Sequence, residues 1–413
     1  MGVMATPPDI LWIVTTQWRA QACGYAGDPN ARTPRLDAFA ARSIDFTQAV
    51  TPHPFGPFAR AALLTGVPSP ENGIRDYFDP LPRGSRTVAN ALGGGGYATA
   101  FFGKWHLARR DPSAALVGET HARMVVAPED RGGFGLWEGF EGGFLLNDPW
   151  LHGTRIEQPT RFEGYQAAVL SERAADWIRS PHSSPWFCVV SLESPHPPYD
   201  APAPGAGRRD PREIVLAGNV PLGGDAEVRA RRELAGYHAH IEATDTALGS
   251  LIDAAPDSAV IVFTSVHGDM HGAHGLFRKG WPHEESVRVP LLVRLPSGGT
   301  TRRGIRTRQA VSLVDLPRWT SAWAGLPVQE AGACASDSRG PDLQSISMPS
   351  AVPLPHQCDR AWRGLRTPGR KLILNDDGTP WLFFDLESDP LEMNNLLSDP
   401  SRTEEMRELS RLV

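Results

Sequence analysis

The sequence predicts an α/β fold, with a large, mostly parallel central sheet flanked by helices and a small antiparallel subdomain at the C-terminal end. Two observations carry this. Short apolar runs alternate with amphipathic helical stretches along most of the chain, the pattern of strands joined by helical crossovers. Beyond a Gly- and Pro-rich stretch at Ala331 to Pro355, the pattern changes to short strand-like runs separated by turn residues. With 413 residues and 41% apolar content, the chain can bury a sizeable core.

Taken in order, Ile10 to Thr15 is a continuous apolar run and reads as a strand, followed by a helix from Pro34 to Arg42, which opens on proline. Arg60 to Leu64 and Thr87 to Leu92 read as helices, and Ala98 to Phe102 as a strand. Tyr165 to Ile178 is helical, Trp186 to Leu192 a buried strand, and about Ala226 to Ala254 a long helix. Ala259 to Thr264 and Val289 to Leu295 complete the strands of the main unit. Loops rich in Gly, Pro and charge fall at Asp111 to Gly133 and Asp200 to Gly224. The C-terminal runs are Ala361 to Thr367, Lys371 to Asn375 and Trp381 to Asp385, with Asn375-Asp376-Asp377-Gly378 as the clearest turn and a charged helix from Thr403 to Leu412. The expected organisation is a main domain over 1–330, a linker over 331–355 and a small subdomain over 356–413.

A net charge of −6 with scattered basic residues excludes a nucleic-acid footprint. Cys23, Cys188, Cys334 and Cys358 are far apart and lack C-x-x-C spacing, which suits reduced thiols. A strand begins within the first residues with no leader-like segment ahead of it, and no apolar run approaches the ~20 residues that span a bilayer, so a cytoplasmic protein with no membrane partner is expected. Oligomeric state is left open.

Seven blocks stand in the order found in one known family. Asp9-Ile10-Leu11-Trp12-Ile13-Val14-Thr15 forms an opening strand, followed by Thr33-Pro34-Arg35-Leu36-Asp37. Next come Gly56-Pro57-Phe58-Ala59-Arg60-Ala61-Ala62-Leu63-Leu64-Thr65-Gly66 and Phe102-Gly103-Lys104-Trp105-His106-Leu107. Ser194-Pro195-His196-Pro197-Pro198-Tyr199, His267-Gly268-Asp269-Met270 with Lys279-Gly280, and Phe384-Asp385-Leu386-Glu387-Ser388-Asp389-Pro390 complete the series. Together these resemble the sulfatase family of the alkaline phosphatase superfamily over nearly the whole chain, and the resemblance implies that superfamily's sandwich architecture.

The resemblance also implies a reagent set, and this chain departs from it. The family signature C/S-x-P-x-R-x-x-L-x-T-G begins with the Cys or Ser that becomes formylglycine, whereas Gly56 stands there and has no side chain to oxidise. The family's metal ligands at two strand ends are Asp followed by Asp or Gln, and Asp followed by Asn or His; here they are Thr16-Gln17 and Val266-His267. Both carboxylates are gone, so a conventional calcium site, which needs several oxygen ligands, is not expected, and no cofactor or metal is assigned. The basic residues remain. Arg60, Lys104 and Lys279, with Thr16 and Gln17, are the expected substrate-binding residues, and His106, His196 and His267 the expected acid–base residues. Three lasting positive charges are expected in this cluster.

The leading expectation is a metal-independent enzyme that processes or transfers a sulfate-like or phosphate-like group on an anionic small molecule. Two alternatives stay open: an inactive member acting as an anion- or partner-binding module, and a sulfuric-ester hydrolase with compensating residues. Other features have blander readings beside functional ones. His267, Asp269, His271 and His274 resemble a transition-metal set, though most of them fit the family segment. His283, Glu284 and Glu285 are either additional ligands or, as favoured, a solvated face. Thr15 or Thr16, with His53 or His267 as base, offers a hydroxyl nucleophile against the favoured reading of a packed strand end. Cys23 reads as structural.

Overall fold

The computed structural model describes residues 7–207, 209–296, 304–327, 342–352 and 354–413. Its elements in chain order are β1 (Ile10–Thr15), α1 (Pro34–Ala40), β2 (Ile44–Val50), α2 (Gly56–Thr65), α3 (Val88–Gly94), β3 (Ala98–Lys104), α4 (Glu119–Ala122), β4 (Leu136–Phe140), β5 (Trp150–Gly153), β6 (Thr160–Arg161) and α5 (Gln166–Arg179). They continue with β7 (Trp186–Ser191), α6 (Asp225–Ala254), β8 (Val260–Ser265), α7 (Glu284–Val287), β9 (Leu291–Arg294), β10 (Ile305–Ser312), α8 (Leu316–Trp323), β11 (Gln344–Met348), β12 (Trp362–Arg366), β13 (Arg370–Asn375), β14 (Pro380–Asp385) and α9 (Thr403–Ser410).

The large sheet runs β10-β2-β9-β8-β1-β7-β3-β4-β5-β6. Its central strands β8, β1, β7, β3 and β4 are all parallel. β1 is buried at every position because both sheet faces are covered. Ile10, Trp12 and Val14 enter the core beneath α2 and α3, whereas Leu11 and Ile13 enter the opposite core with residues of α5 and α6, as a two-residue period requires. The predicted fold class is therefore what the chain adopts. β9 departs from the parallel pattern, pairing antiparallel with both β8 and β2.

A second, antiparallel sheet runs β11-β12-β13-β14. Its outer strand β11 arises within the stretch read as a linker, so the small sheet has four strands among the described residues where three were expected. The earlier part of that stretch, with Cys334, lies outside the described residues. Cys23, Cys188 and Cys358 are free and buried. No helix among the described residues is long and apolar enough to cross a membrane.

His283, Glu284 and Glu285 correct an expectation. All three are buried, where a solvated face was favoured. Glu284 takes both arms of the Arg366 guanidinium, at 2.9 and 2.8 Å, and the Lys371 ammonium at 2.8 Å. Arg366 also reaches Gln344 of β11 at 2.8 Å and Gln48 of β2 at 2.7 Å, so one side chain ties the small sheet to the large one.

Candidate active site

Five segments meet at the carboxyl ends of the central strands, where ligand sites of parallel sheets lie. β1 delivers Thr16 and Gln17, β3 delivers Lys104 and His106, β7 delivers Glu193 and His196, β8 delivers His267, and α2 presents its first turn at Gly56 with Arg60 one turn further. Gly103, at φ +108°, allows β3 to lie against β7 beside the site, since a Cβ there would stand 2.1 Å from the Ser191 carbonyl.

Arg60 is only 4% exposed and organises the floor. Its Nη1 donates to the Lys104 carbonyl at 3.0 Å and to Ser191 Oγ at 2.6 Å, and its Nη2 donates to Thr16 Oγ1 at 2.8 Å. Thr16 Oγ1 in turn donates to the Leu192 carbonyl at 2.8 Å, so its proton is committed to a backbone acceptor and no histidine accepts it. His53 sits elsewhere, between Ser69 and Ser347. The packed reading of Thr16 is the one the geometry supports.

Lys104 Nζ lies 2.6 Å from Glu193 Oε1 and 4.7 Å from the centre of the Phe144 ring. Burial pushes the Lys104 ammonium down to about 8, with Glu193 opposing. Lys279 makes no ion pair among the described residues. Its Nζ donates to Gln17 Oε1 at 2.6 Å and stands 3.1 Å from His196 Nε2. Burial, reinforced by the Lys104 charge, pushes Lys279 down to about 7. The expectation of three lasting positive charges is thereby corrected: Lys104 is neutralised by a partner, and Lys279 titrates near neutrality.

His106, His196 and His267 are each held well below the usual histidine range by burial and then by neighbouring cations, so all three are neutral imidazoles. Their tautomers follow from their partners. His196 Nδ1 donates to the Pro197 carbonyl and His267 Nδ1 to the Gly268 carbonyl, each at 2.8 Å, leaving both Nε2 atoms as acceptors. His106 is the reverse: Arg110 Nη1 donates to its Nε2 at 2.8 Å, leaving Nδ1 with the proton. Arg110 and Glu141, 3.4 Å apart and buried, form the next layer.

Sequence reading missed Glu193, Arg110 and Phe144. Glu193, three residues before His196 at the end of an apolar strand, was legible as a charge at a strand terminus. Arg110, four residues after His106, carried no such signal. Phe144 stacks on His196 with ring centres 4.5 Å apart and 4° between planes.

At Gly56 a Cβ would stand 2.9 Å from His106 Nδ1 and 3.2 Å from its Cε1. The His106 ring therefore occupies the space into which a residue 56 side chain would grow. Gly56→Ser is expected to cost about 1–3 kcal/mol through overpacking, and Gly56→Ser with His106→Ala to cost less than the two single changes summed. Urea unfolding of the three variants checks this, and full additivity would sink it.

The residues at the family's metal positions do not fit calcium. Thr16 Oγ1 is held between Arg60 and a carbonyl, Gln17 Oε1 receives Lys279, Val266 is apolar, and His267 offers an imidazole nitrogen. The transition-metal alternative is also dispersed. Asp269 accepts from Gln17 and Tyr199 and lies 3.9 Å from His271 Nε2, His271 packs against the rings of Tyr199 and Tyr237, and His274 lies apart, tilted against His283. Among the described residues no group of three or more His, Cys, Asp or Glu could hold a metal ion.

A family model described as Sulfatase matches residues 8–326. An ulvan-active sulfatase of Formosa agariphila is 31% identical, covering 96% of this chain and 78% of its own. An N-acetylglucosamine-6-O-sulfatase of Bacteroides thetaiotaomicron is 23% identical, over 98% of this chain and 85% of its own. Among solved structures, a protein in complex with its substrate D-glucosamine-2-N,6-O-disulfate superposes with a TM-score of 0.80 at 22% identity, covering 98% of this chain and 97% of the other. A phosphonate monoester hydrolase of Agrobacterium radiobacter superposes at 0.74 and 22% identity, covering 98% and 94%.

Proposed function

The chain belongs to the sulfatase family, and on that premise we propose that it is an atypical sulfatase-type enzyme handling a sulfate-like or phosphate-like group on an anionic small molecule, with neither a formylglycine nor a calcium ion. The observation that carries this reading is the replacement at the centre of the site. Glycine stands where the family has its modifiable residue, and His106 fills the space beside it, while Arg60, Lys104 and Lys279 are buried in the same cluster, on Thr16, Glu193 and Gln17 respectively.

Arg60 and Lys104 hold the oxyanion by charge-assisted hydrogen bonds, and His106 Nδ1–H adds a neutral donor. The proton carrier shifts from the histidines to Lys279. Three imidazoles held neutral are weak acids near pH 7, whereas an ammonium brought to about 7 is matched to giving a proton to a leaving oxygen there.

The sign of the pH dependence follows. Lys279 is charged below about 7 and favours anion binding; it loses that charge as the pH rises through about 7, and affinity falls. Calorimetric titration of chelator-treated protein with sulfate and sulfamate, whose charges are constant over the range, is expected to show binding at pH 6 that weakens by roughly tenfold by pH 8.5, and in Lys279→Met a weaker profile that has lost its fall near pH 7 and keeps only the fall near 8 due to Lys104. Absence of binding in the wild type at every pH would overturn the pocket reading. Binding without release of sulfate or phosphate from any ester in a broad panel would assign the inactive-module alternative.

A further inference from the structure

The buried cluster of the candidate site offers acceptors as well as donors. Glu193 is fully buried, and its two oxygens are unequal: Oε1 is occupied by Lys104 at 2.6 Å, with His196 Nδ1 3.6 Å away, while Oε2 has no hydrogen-bond partner. His267 is also fully buried, and its Nε2, an acceptor because Nδ1 donates to Gly268, is likewise without a partner. On the donor side, His106 Nδ1 and Arg60 Nε are buried without partners. An orphaned buried polar atom costs its full desolvation, so a ligand is favoured for satisfying both kinds.

We propose that this pocket selects a tetrahedral oxyanion carrying its own hydrogen-bond donor over a fully ionised sulfate group, and that Glu193 is the specificity-determining residue. The donor is an O–H, as in a singly protonated phosphoric monoester, or an N–H, as in a sulfamate. This rests on reading the cluster as an anion pocket and names the class of anion it takes. A sulfate ester at neutral pH presents only acceptor oxygens. These suit Arg60, Lys104 and His106, but set lone pairs against Glu193 Oε2 and His267 Nε2, to which no protein group donates a proton. A P–O–H or N–H group turns the same contacts into hydrogen bonds to a carboxylate and an imidazole. Lys104 does not remove the conflict, because it covers Oε1 alone.

The test is calorimetric titration of the chelator-treated wild type at pH 7 and matched ionic strength with inorganic sulfate, inorganic phosphate and sulfamate. Coulomb attraction alone ranks the sulfate dianion ahead of the sulfamate monoanion. The expected order is inverted, with phosphate or sulfamate binding at least about tenfold more tightly than sulfate. Preference for phosphate alone assigns an O–H group, and preference for sulfamate alone an N–H group. Glu193→Gln is expected to tighten sulfate and reduce the preference to within roughly threefold, since the amide offers a donor in place of a charge. Sulfate binding to the wild type as tightly as both other anions overturns the proposal while leaving the anion pocket standing, and a preference unchanged in Glu193→Gln removes Glu193 from it. The wild-type order decides by itself should the variant fail to fold. Binding of none of the three anions would overturn the pocket and this selectivity together.

Discussion

Lys104→Met is expected to destabilise the protein by about 3–5 kcal/mol and to abolish oxyanion binding, because it leaves a buried carboxylate without its cation. Glu193 is inaccessible to solvent, and Lys104 is the closest charge to it at 2.6 Å. With that ammonium gone, Glu193 Oε1 retains only a neutral imidazole at 3.6 Å, and Oε2 gains nothing. The site has no compensating water-exposed face, since Arg60, Lys104, His106, His196 and Lys279 are each less than 10% exposed. A further measurement separates a charge effect from lost packing. The double variant Lys104→Met, Glu193→Gln should recover most of the stability and none of the sulfamate binding, because replacing both partners with neutral groups is close to neutral while the anion's cation is still missing. Chemical denaturation of the two variants gives the answer. A loss below about 1 kcal/mol in Lys104→Met, or an equal loss in the double variant, would show that the pair is not what stabilises this region.

The layered α/β architecture was legible because β1, β7 and β8 are buried on both faces and therefore read as unbroken apolar runs, and because motif order placed Lys104, His106, His196, His267 and Lys279 at strand ends or in loops and Arg60 on a helix. What escaped was whatever depends on pairing rather than on local pattern. β10 alternates exposed and half-buried residues, such as Arg306 and Gln309, with little apolar signal, and it becomes a strand because β2 supplies a parallel partner. β11, Gln-Ser-Ile-Ser-Met, lies in a stretch of Gly, Pro and Ser and is fixed by its register against β12. The same limit applied to charge. Counting cations in motifs gave three positive charges, but electrostatics depends on neighbours distant in sequence: Glu193 is 89 residues from Lys104, and Gln17 is 262 residues from Lys279. His106 shows it most directly, since burial and then Arg110, a residue outside every motif, hold it neutral, and Arg110 occupies its Nε2.

Arg366→Met is the second large effect expected, again about 3–5 kcal/mol, and it acts far from the candidate chemistry. The Arg366 guanidinium, 1% exposed, makes two hydrogen bonds to Glu284, one to Gln344 and one to Gln48. Methionine fills similar volume but supplies none of these, and it leaves two glutamine oxygens and part of a carboxylate unsatisfied in the interface between the sheets. Lys371 still holds Glu284 at 2.8 Å, which keeps the loss from being larger. Arg366→Lys should cost less than Met but more than nothing, since an ammonium keeps the charge and loses the two-armed geometry. The acid limb provides an independent check. Burial alone would push the Glu284 carboxyl up, but Arg366 and Lys371 outweigh it and hold it well below the usual range. A carboxyl depressed in the folded state contributes stability that is present above its unfolded value and is lost as the pH falls through its folded value. Removing Arg366 brings the folded value back toward the unfolded one, so Arg366→Met lacks that contribution already at neutral pH, and its stability deficit relative to the wild type should narrow as the pH falls through the acid range. The amides of β12 should lose hydrogen-exchange protection more than those of β1, because Arg366 joins the small sheet to the large one. Equal loss of protection in β12 and β1 would show that the two sheets unfold as one unit, and an unchanged acid limb would remove Arg366 as the source of the Glu284 shift.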